Sequence, residues 1–150
     1  MLAVHYGCGL RRTEGINLDV NDLLQGKNLL FVRKGKNYKE RYVPMTEAVK
    51  EDIRNYIEYS RPLLIKYPTH ALFLNMKGVR ISSNTMAVRL QQLKEKAGID
   101  KEAGLHTLRH SIATHLLQSG MKLAQIKQFL GHSSLESTQI YTHIAHETTE

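Results

Sequence analysis

The sequence predicts an α+β fold, mostly helical, with a small antiparallel β-hairpin or sheet near the N-terminus. Two β-prone runs, Leu29–Val32 and Tyr42–Val43, flank the turn sequence Gly35-Lys36-Asn37-Tyr38, and this pattern indicates a hairpin. Apolar residues spaced as one face of a helix occupy most of the remaining chain. A chain of 150 residues is long enough for one domain with a buried core. We therefore expect a single domain over residues 1–150.

The elements before and within the hairpin are marked by glycine and proline. Gly7 and Gly9 predict a helix stop and a tight turn. A second helical stretch is expected over about residues 11–18, and residues 19–27 are polar and turn-rich. Pro44 is expected to end the second strand, where a missing N–H costs least.

Two helices are predicted in the middle of the chain, separated by a loop. The first is capped by Thr46, and its inward stripe is Val49, Ile53, Tyr56 and Ile57. Pro62 and Pro68 bracket the loop that follows, and Ala71–Leu74 is a short strand or a buried extended segment. The second helix is capped by Ser82 or Ser83 and closed by Gly98, and its inward residues are Met86, Leu90, Leu93 and Ala97.

Three further helices are expected in the last third of the chain. The first ends at Gly120, with an inward stripe of Leu108, Ile112 and Leu116. The second ends at Gly131, and its apolar residues are Leu123, Ile126, Phe129 and Leu130. The third opens at residues 133–136, whose sequence Ser-Ser-Leu-Glu fits a capping box.

The charge balance favours a polyanionic partner. The chain has 21 basic and 14 acidic residues, a net charge of +7 and a pI near 9.6, which indicates nucleic acid before a membrane surface. Cys8 is the only cysteine, so an internal disulfide and a multi-thiolate metal site are excluded. No run approaches 18 apolar residues, and no signal-peptide pattern is present. We expect a cytoplasmic protein.

His106 and Arg109 form the first candidate site. They are three residues apart in the first turn of a predicted helix, so they share one face. A helix N-terminus adds N–H donors, and the set is suited to binding an anion and moving a proton. The alternative is that His106 only caps the helix and Arg109 pairs with a nearby carboxylate.

Other candidate groups are ambiguous when taken singly. Arg11 can be half of a surface ion pair with Glu14, and Lys36 can be a solvated turn lysine or can bring an ammonium group to a phosphate. The capping box places His132 and Tyr141 on separate elements. A helix tyrosine is most often a core or surface residue.

Two other groups of residues suggest different functions. The C-terminal histidines lack carboxylate or thiolate partners at metal-ligand spacing, so we expect no metal. The two helices around residues 118–121 resemble a helix-turn-helix, which would make the protein a non-catalytic DNA-binding module. Its second helix presents only a modest set of outward polar residues: Lys122, Gln125, Lys127 and Gln128.

The chain as a whole resembles the catalytic domain of the tyrosine recombinases, also called the phage integrase family. Residues 9–14, GLRRTE, are similar to the family's Gly-Leu-Arg-x-x-Glu segment, which makes Arg11, rather than Arg12, the first catalytic arginine. Residues 35–44 resemble the hairpin that carries the catalytic lysine, here Lys36.

The last third carries the remaining family motifs. Residues 106–110, HTLRH, resemble the His-x-Leu-Arg-His box. Residues 130–132 and 141–143 resemble the last two boxes, with the family's spacing from histidine to tyrosine. The resemblance thus implies the catalytic set Arg11, Lys36, His106, Arg109, His132 and the nucleophile Tyr141.

The resemblance implies a site-specific DNA recombinase or integrase that breaks and rejoins strands through a 3′-phosphotyrosyl intermediate, with chemistry similar to type IB topoisomerases. Its role is expected to be either that of a mobile element or that of chromosome maintenance. The resemblance also implies double-stranded DNA as partner, a tetramer on DNA in the full-length protein, and no metal, nucleotide or other cofactor. Family members also carry a separate N-terminal DNA-clamping domain and further helices before the first arginine. We therefore expect this chain to be a fragment of a longer protein.

Overall fold

The computed structural model describes residues 1–33, 35 and 39–132. Within these ranges a small three-stranded sheet accompanies a majority of helices, and the predicted α+β fold is confirmed. The helices are α1 (Arg12–Ile16), α2 (Glu47–Asn55), α3 (Arg61–Leu64), α4 (Ser83–Lys96), α5 (Leu105–Gln118) and α6 (Leu123–Leu130), and the strands are β1 (Leu23–Leu24), β2 (Leu29–Val32) and β3 (Arg41–Pro44). Shorter helical turns are Ala3–Gly7, Val20–Asp22, Gln25–Lys27 and Tyr56–Ser60. None of the described helices is long and apolar enough to cross a membrane.

The sheet is antiparallel in the order β1-β2-β3. The two predicted hairpin strands pair in register, with Leu30 opposite Val43 and Val32 opposite Arg41. Residues 19–27 contain two short helical turns, in line with their turn-rich sequence, but they also contain a strand that was not predicted, because Leu23–Leu24 pairs with β2. A two-residue strand is too short to show the alternation by which strands are predicted.

The helix after β3 begins as expected and continues further than expected. The Thr46 hydroxyl accepts a hydrogen bond from the Val49 N–H at 3.3 Å. The prediction that Pro62 starts a loop was wrong, since Pro62 lies in the first turn of α3. The helix widens into a π turn over Tyr56–Ser60 immediately before it, which is one way a helix accommodates a proline that lacks an N–H.

The segment Ala71–Leu74 is buried and extended, as predicted. In α4, which Ser82 caps, Met86 and Leu90 are buried. The prediction that Leu93 and Ala97 face inward was wrong, because Leu93 is 44% exposed and Ala97 is exposed as well. The last turns of α4 are mostly solvent-exposed, so the periodicity there does not mark a buried face.

Helices α5 and α6 pack on each other and carry most of the candidate site. In α5 the most buried residues are Leu105, Arg109 and Ala113, whereas the predicted stripe of Leu108, Ile112 and Leu116 is only half-buried. In α6, Ile126 and Leu130 are fully buried, and Gly131 ends the helix in the left-handed region at φ 71°. The third predicted helix, from residue 133, lies outside the described residues.

One histidine lies inside the core beneath α1. His5 is fully buried, and its Nδ1 donates to the Met1 carbonyl at 2.9 Å. A Cβ on Gly15 would come within 2.4 Å of the His5 Nε2 atom, so α1 packs directly on the ring through a glycine. Burial, the largest cause, lowers the pKa of His5 from 6.5 to about 4.

This burial predicts an acid-sensitive fold. Because the folded-state pKa lies below the unfolded value, protonation favours unfolding, and the stability from a neutral His5 is complete above pH 6.5 and is lost as pH falls toward about 4. The shift corresponds to a loss of about 3 kcal/mol in the free energy of unfolding.

We expect His5→Leu to reduce this pH dependence, measured by urea unfolding between pH 4 and 7.5. The exposed His70, changed to Gln, is the control, and an unchanged pH dependence in His5→Leu would contradict the prediction.

Candidate active site

Glu14 is the centre of a buried charged cluster. It lies in α1, which begins after the extended Arg11, and the Arg11 backbone N–H donates to Glu14 Oε1 at 2.8 Å. The Arg41 guanidinium donates from Nη1 to Oε2 at 2.5 Å and from Nη2 to Oε1 at 3.2 Å. The side chains of Arg11 and Glu14 are only 16% and 3% exposed. The alternative of a surface ion pair was therefore wrong, because tertiary packing covers both partners.

Three further guanidinium contacts connect these residues to the end of α6. Arg11 Nη1 and Arg109 Nη2 both donate to the Leu130 carbonyl, at 3.2 and 2.8 Å. Arg41 Nε donates to the Phe129 carbonyl at 3.0 Å. The carbonyls at a helix C-terminus carry partial negative charge, so they stabilise the guanidinium groups beside them. We call Arg11, Glu14, Arg41 and Arg109 the arginine cluster.

The arginine cluster is electropositive. Arg109 Nη1 lies 3.9 Å from Glu14 Oε1 and donates to the Gly9 carbonyl at 2.5 Å. Burial by itself raises the pKa of Glu14, but the hydrogen bond and charge of Arg41 outweigh it, so the pKa lies below its usual value. Glu14 is thus ionised at neutral pH, and the cluster has three positive charges and one negative charge. An anion bound beside it would be stabilised.

His132 lies against the same charges. It follows Gly131 and is half-buried. Burial, the largest cause, and then the charges of Arg109, Arg11, Arg41 and Lys127 lower its pKa from 6.5 to about 4. The imidazole is therefore neutral at neutral pH and can donate a hydrogen bond without adding charge.

His106 occupies the solvent side of the site. It is exposed in the first turn of α5. A groove of about 770 Å³ is lined by Arg11, Arg109 and His106, together with residues of α4 that include Gln91 and Lys94. Two guanidinium groups and an exposed imidazole thus line the same groove.

The structure brings four predicted site residues to one place. Arg11, His106 and Arg109 line the groove, and the charges of both arginines act on His132. Lys36 and Tyr141 lie outside the described residues, so their positions stay predictions. Among the described residues, no group of three or more histidine, cysteine, aspartate or glutamate side chains could hold a metal ion.

Sequence reasoning missed Arg41. Buried and exposed residues alternate along β3, and Arg41 faces inward on the same side as Val43. An arginine on the apolar face of a strand requires a buried acceptor, and this was the available signal. Neither Arg41 nor the carboxylate of Glu14 was predicted as part of the site.

Comparisons with known proteins cover nearly the whole chain. Residues 1–148 match the profile of the phage integrase family. The chain is 46% identical over 149 residues to tyrosine recombinase XerD of Staphylococcus epidermidis, covering 97% of this chain and 49% of the relative. The chain spans just under half the length of the curated relatives that it matches.

Solved structures show the same fold. XerA recombinase is 34% identical with a TM-score of 0.86, covering 97% of this chain and 54% of the other. XerH site-specific recombinase, in a post-cleavage complex with palindromic difH substrate, is 30% identical with a TM-score of 0.80, covering 99% and 43%. The helix-turn-helix alternative is not favoured, since both of its helices lie within the matched family profile.

Proposed function

Because the chain belongs to the phage integrase family, we propose that residues 1–150 form the catalytic domain of a site-specific DNA recombinase. The observation that carries the proposal is the groove at the arginine cluster, which Arg11, Arg109 and His106 line together. A scissile DNA phosphate is the anion that this arrangement suits.

In the proposed reaction, the Tyr141 hydroxyl oxygen attacks the scissile phosphorus. A tyrosine–phosphorus bond forms as the bond from phosphorus to the 5′-oxygen breaks, which leaves a 3′-phosphotyrosyl link and a free 5′-hydroxyl. Attack by the 5′-hydroxyl of another strand reverses the step. One phosphodiester is exchanged for another, so the reaction needs neither ATP nor a hydrolytic step.

The remaining residues have complementary roles in the proposal. Arg11 and Arg109 bind the non-bridging oxygens, since a guanidinium has five donors and can hold a carbonyl and a phosphate together. His106 accepts the Tyr141 proton, and Lys36 protonates the departing 5′-oxygen. His132 donates a hydrogen bond to the phosphate from a neutral ring. A positioned acid or base contributes about 10²–10⁴-fold, and each electrostatic donor about 10²–10³-fold.

Double-stranded DNA is the proposed partner. The chain carries a net charge of +7, and the structurally similar XerH recombinase was solved with a difH substrate. Assembly as a tetramer on DNA, which the family resemblance implies, belongs to the same proposal. A DNA substrate also accords with the cytoplasmic location that the sequence predicts.

Covalent trapping tests the proposal. The chain is incubated with a pool of nicked suicide duplexes of random core sequence, in which the cleaved end diffuses away and rejoining is prevented. We expect a denaturant-resistant protein–DNA adduct, and peptide mapping is expected to place it on the segment that contains Tyr141. No adduct with any duplex, or an adduct on another residue, would refute the proposed function.

A further inference from the structure

Arg41 has no role in the family resemblance, yet it occupies the middle of the site. It is 9% exposed and lies on β3, five residues after Lys36 in the sequence. Arg41 is not among the residues that line the groove formed by Arg11, His106 and Arg109. Apart from its charge, we therefore expect Arg41 to affect a bound phosphate through the residues that it contacts.

The contacts of Arg41 connect three elements. Two of its nitrogens donate to both carboxylate oxygens of Glu14 on α1, and its Nε donates to the Phe129 carbonyl in the last turn of α6. Only a planar guanidinium can make such a bidentate contact while using a third nitrogen elsewhere. A lysine at this position would keep the charge and lose this geometry.

The contact with Glu14 affects the two arginines of the groove. Glu14 lies 3.4 Å from Arg11 Nη1 and 3.9 Å from Arg109 Nη1, so this carboxylate competes with a phosphate for both guanidinium groups. Arg41 engages both oxygens of Glu14, which weakens that competition. Without Arg41, we expect Glu14 to draw Arg11 and Arg109 away from the phosphate.

The contact of Arg41 with α6 lies close to His132 in the chain. Gly131 has φ 71°, and a Cβ there would lie 2.8 Å from Arg41 Nη1. The end of α6 can therefore lie this close to Arg41 only because residue 131 has no side chain. His132 follows directly, so the Arg41 contact constrains the backbone that carries it.

We propose that Arg41 is a positioning residue for DNA cleavage: by bonding Glu14 and the end of α6 together, it aligns Arg11, Arg109 and His132 on the scissile phosphate without touching it. The inference rests on the proposed function and deepens it.

The test compares Arg41→Lys and Arg41→Met with the control Arg61→Met in the full chain, at a temperature where circular dichroism shows each variant folded. Arg61 also holds backbone carbonyls, those of Thr69 and Ala71, but it is not part of the arginine cluster. The first readout is the single-turnover rate of adduct formation at saturating suicide duplex, with the dissociation constant measured by fluorescence anisotropy. The second is the titration midpoint of the His132 imidazole, measured by NMR without DNA.

We expect Arg41→Met to slow adduct formation about 10²-fold, the size of effect expected when reacting groups are misplaced by an ångström. DNA affinity should change by less than about threefold, because the phosphate contacts that dominate affinity are made by other residues. Arg41→Lys should also be slow. In both variants the His132 midpoint should rise from about 4 toward 6.5, whereas Arg61→Met should change neither readout.

Three results would overturn the inference. The first is a folded Arg41→Met chain that cleaves at the wild-type rate. The second is a loss of cleavage that matches an equal loss of DNA affinity. The third is Arg41→Lys restoring both readouts, which would mean that charge alone suffices.

If the wild-type chain forms no adduct, the proposed function fails, and the His132 titration still decides the positioning role. A rise of the His132 midpoint in both Arg41 variants supports that role, and no rise rejects it. Where Arg41→Met does not fold, Arg41→Lys carries both readouts.

Discussion

Replacing Tyr141 by phenylalanine is expected to abolish the covalent protein–DNA adduct and to leave DNA affinity unchanged. The substitution removes one hydroxyl group, which is the proposed nucleophile, and no acid, base or donor in the site can replace the missing oxygen–phosphorus bond. Affinity depends mainly on contacts between basic groups and phosphates, and these are retained. The measurements are adduct yield on the suicide duplexes and fluorescence anisotropy with the same DNA.

Tyr59→Phe is the matched control for this prediction. Tyr59 is 64% exposed, and the same hydroxyl group is removed outside the groove. We expect wild-type adduct yield from this control. A covalent adduct that still forms in Tyr141→Phe would show that another residue is the nucleophile.

Replacing Glu14 by glutamine is expected to lower the free energy of unfolding more than the other substitutions proposed for this chain. The carboxylate is 3% exposed and bonded to Arg41, with Arg11 and Arg109 beside it. Glutamine keeps the shape but removes the negative charge and turns an NH₂ group toward guanidinium donors. Removing one partner of a buried ion pair costs about 3–5 kcal/mol, and urea unfolding followed by circular dichroism measures the loss.

The surface ion pair of Glu51 and Arg54 is the control for Glu14. The Glu51 side chain is 53% exposed, and Glu51→Gln should change the free energy of unfolding by less than about 1 kcal/mol. Because the pKa of Glu14 is lowered in the folded state, its stabilisation is present above the unfolded pKa and is lost as pH falls through the folded one. Glu14→Gln should therefore also reduce the loss of stability at acid pH. Equal stability of the two variants would contradict the central role of Glu14.

The elements that were predicted correctly depend on neighbours in sequence. The hairpin strands were evident from β-prone runs on either side of a turn, and the Thr46 cap and the Gly131 stop from single residues whose hydrogen bonding or backbone conformation is local. The errors occurred where local pattern and packing differ. Leu93 continues the apolar period of α4 but is exposed, and Pro62 lies in a helix that adjusts around it.

The sequence by itself determined the fold class, the helix and strand candidates, and the identity and order of the groups proposed to act on the phosphate. Tertiary structure alone decided how those groups are held. It buried the Arg11–Glu14 pair, added Arg41 to it and placed the end of α6 beside three guanidinium groups. The physical reason is distance along the chain: Arg41 bonds Glu14 across 27 residues and Phe129 across 88, and Arg109 bonds Gly9 across 100. No local pattern encodes such contacts, because they form only when α1, β3, α5 and α6 pack together.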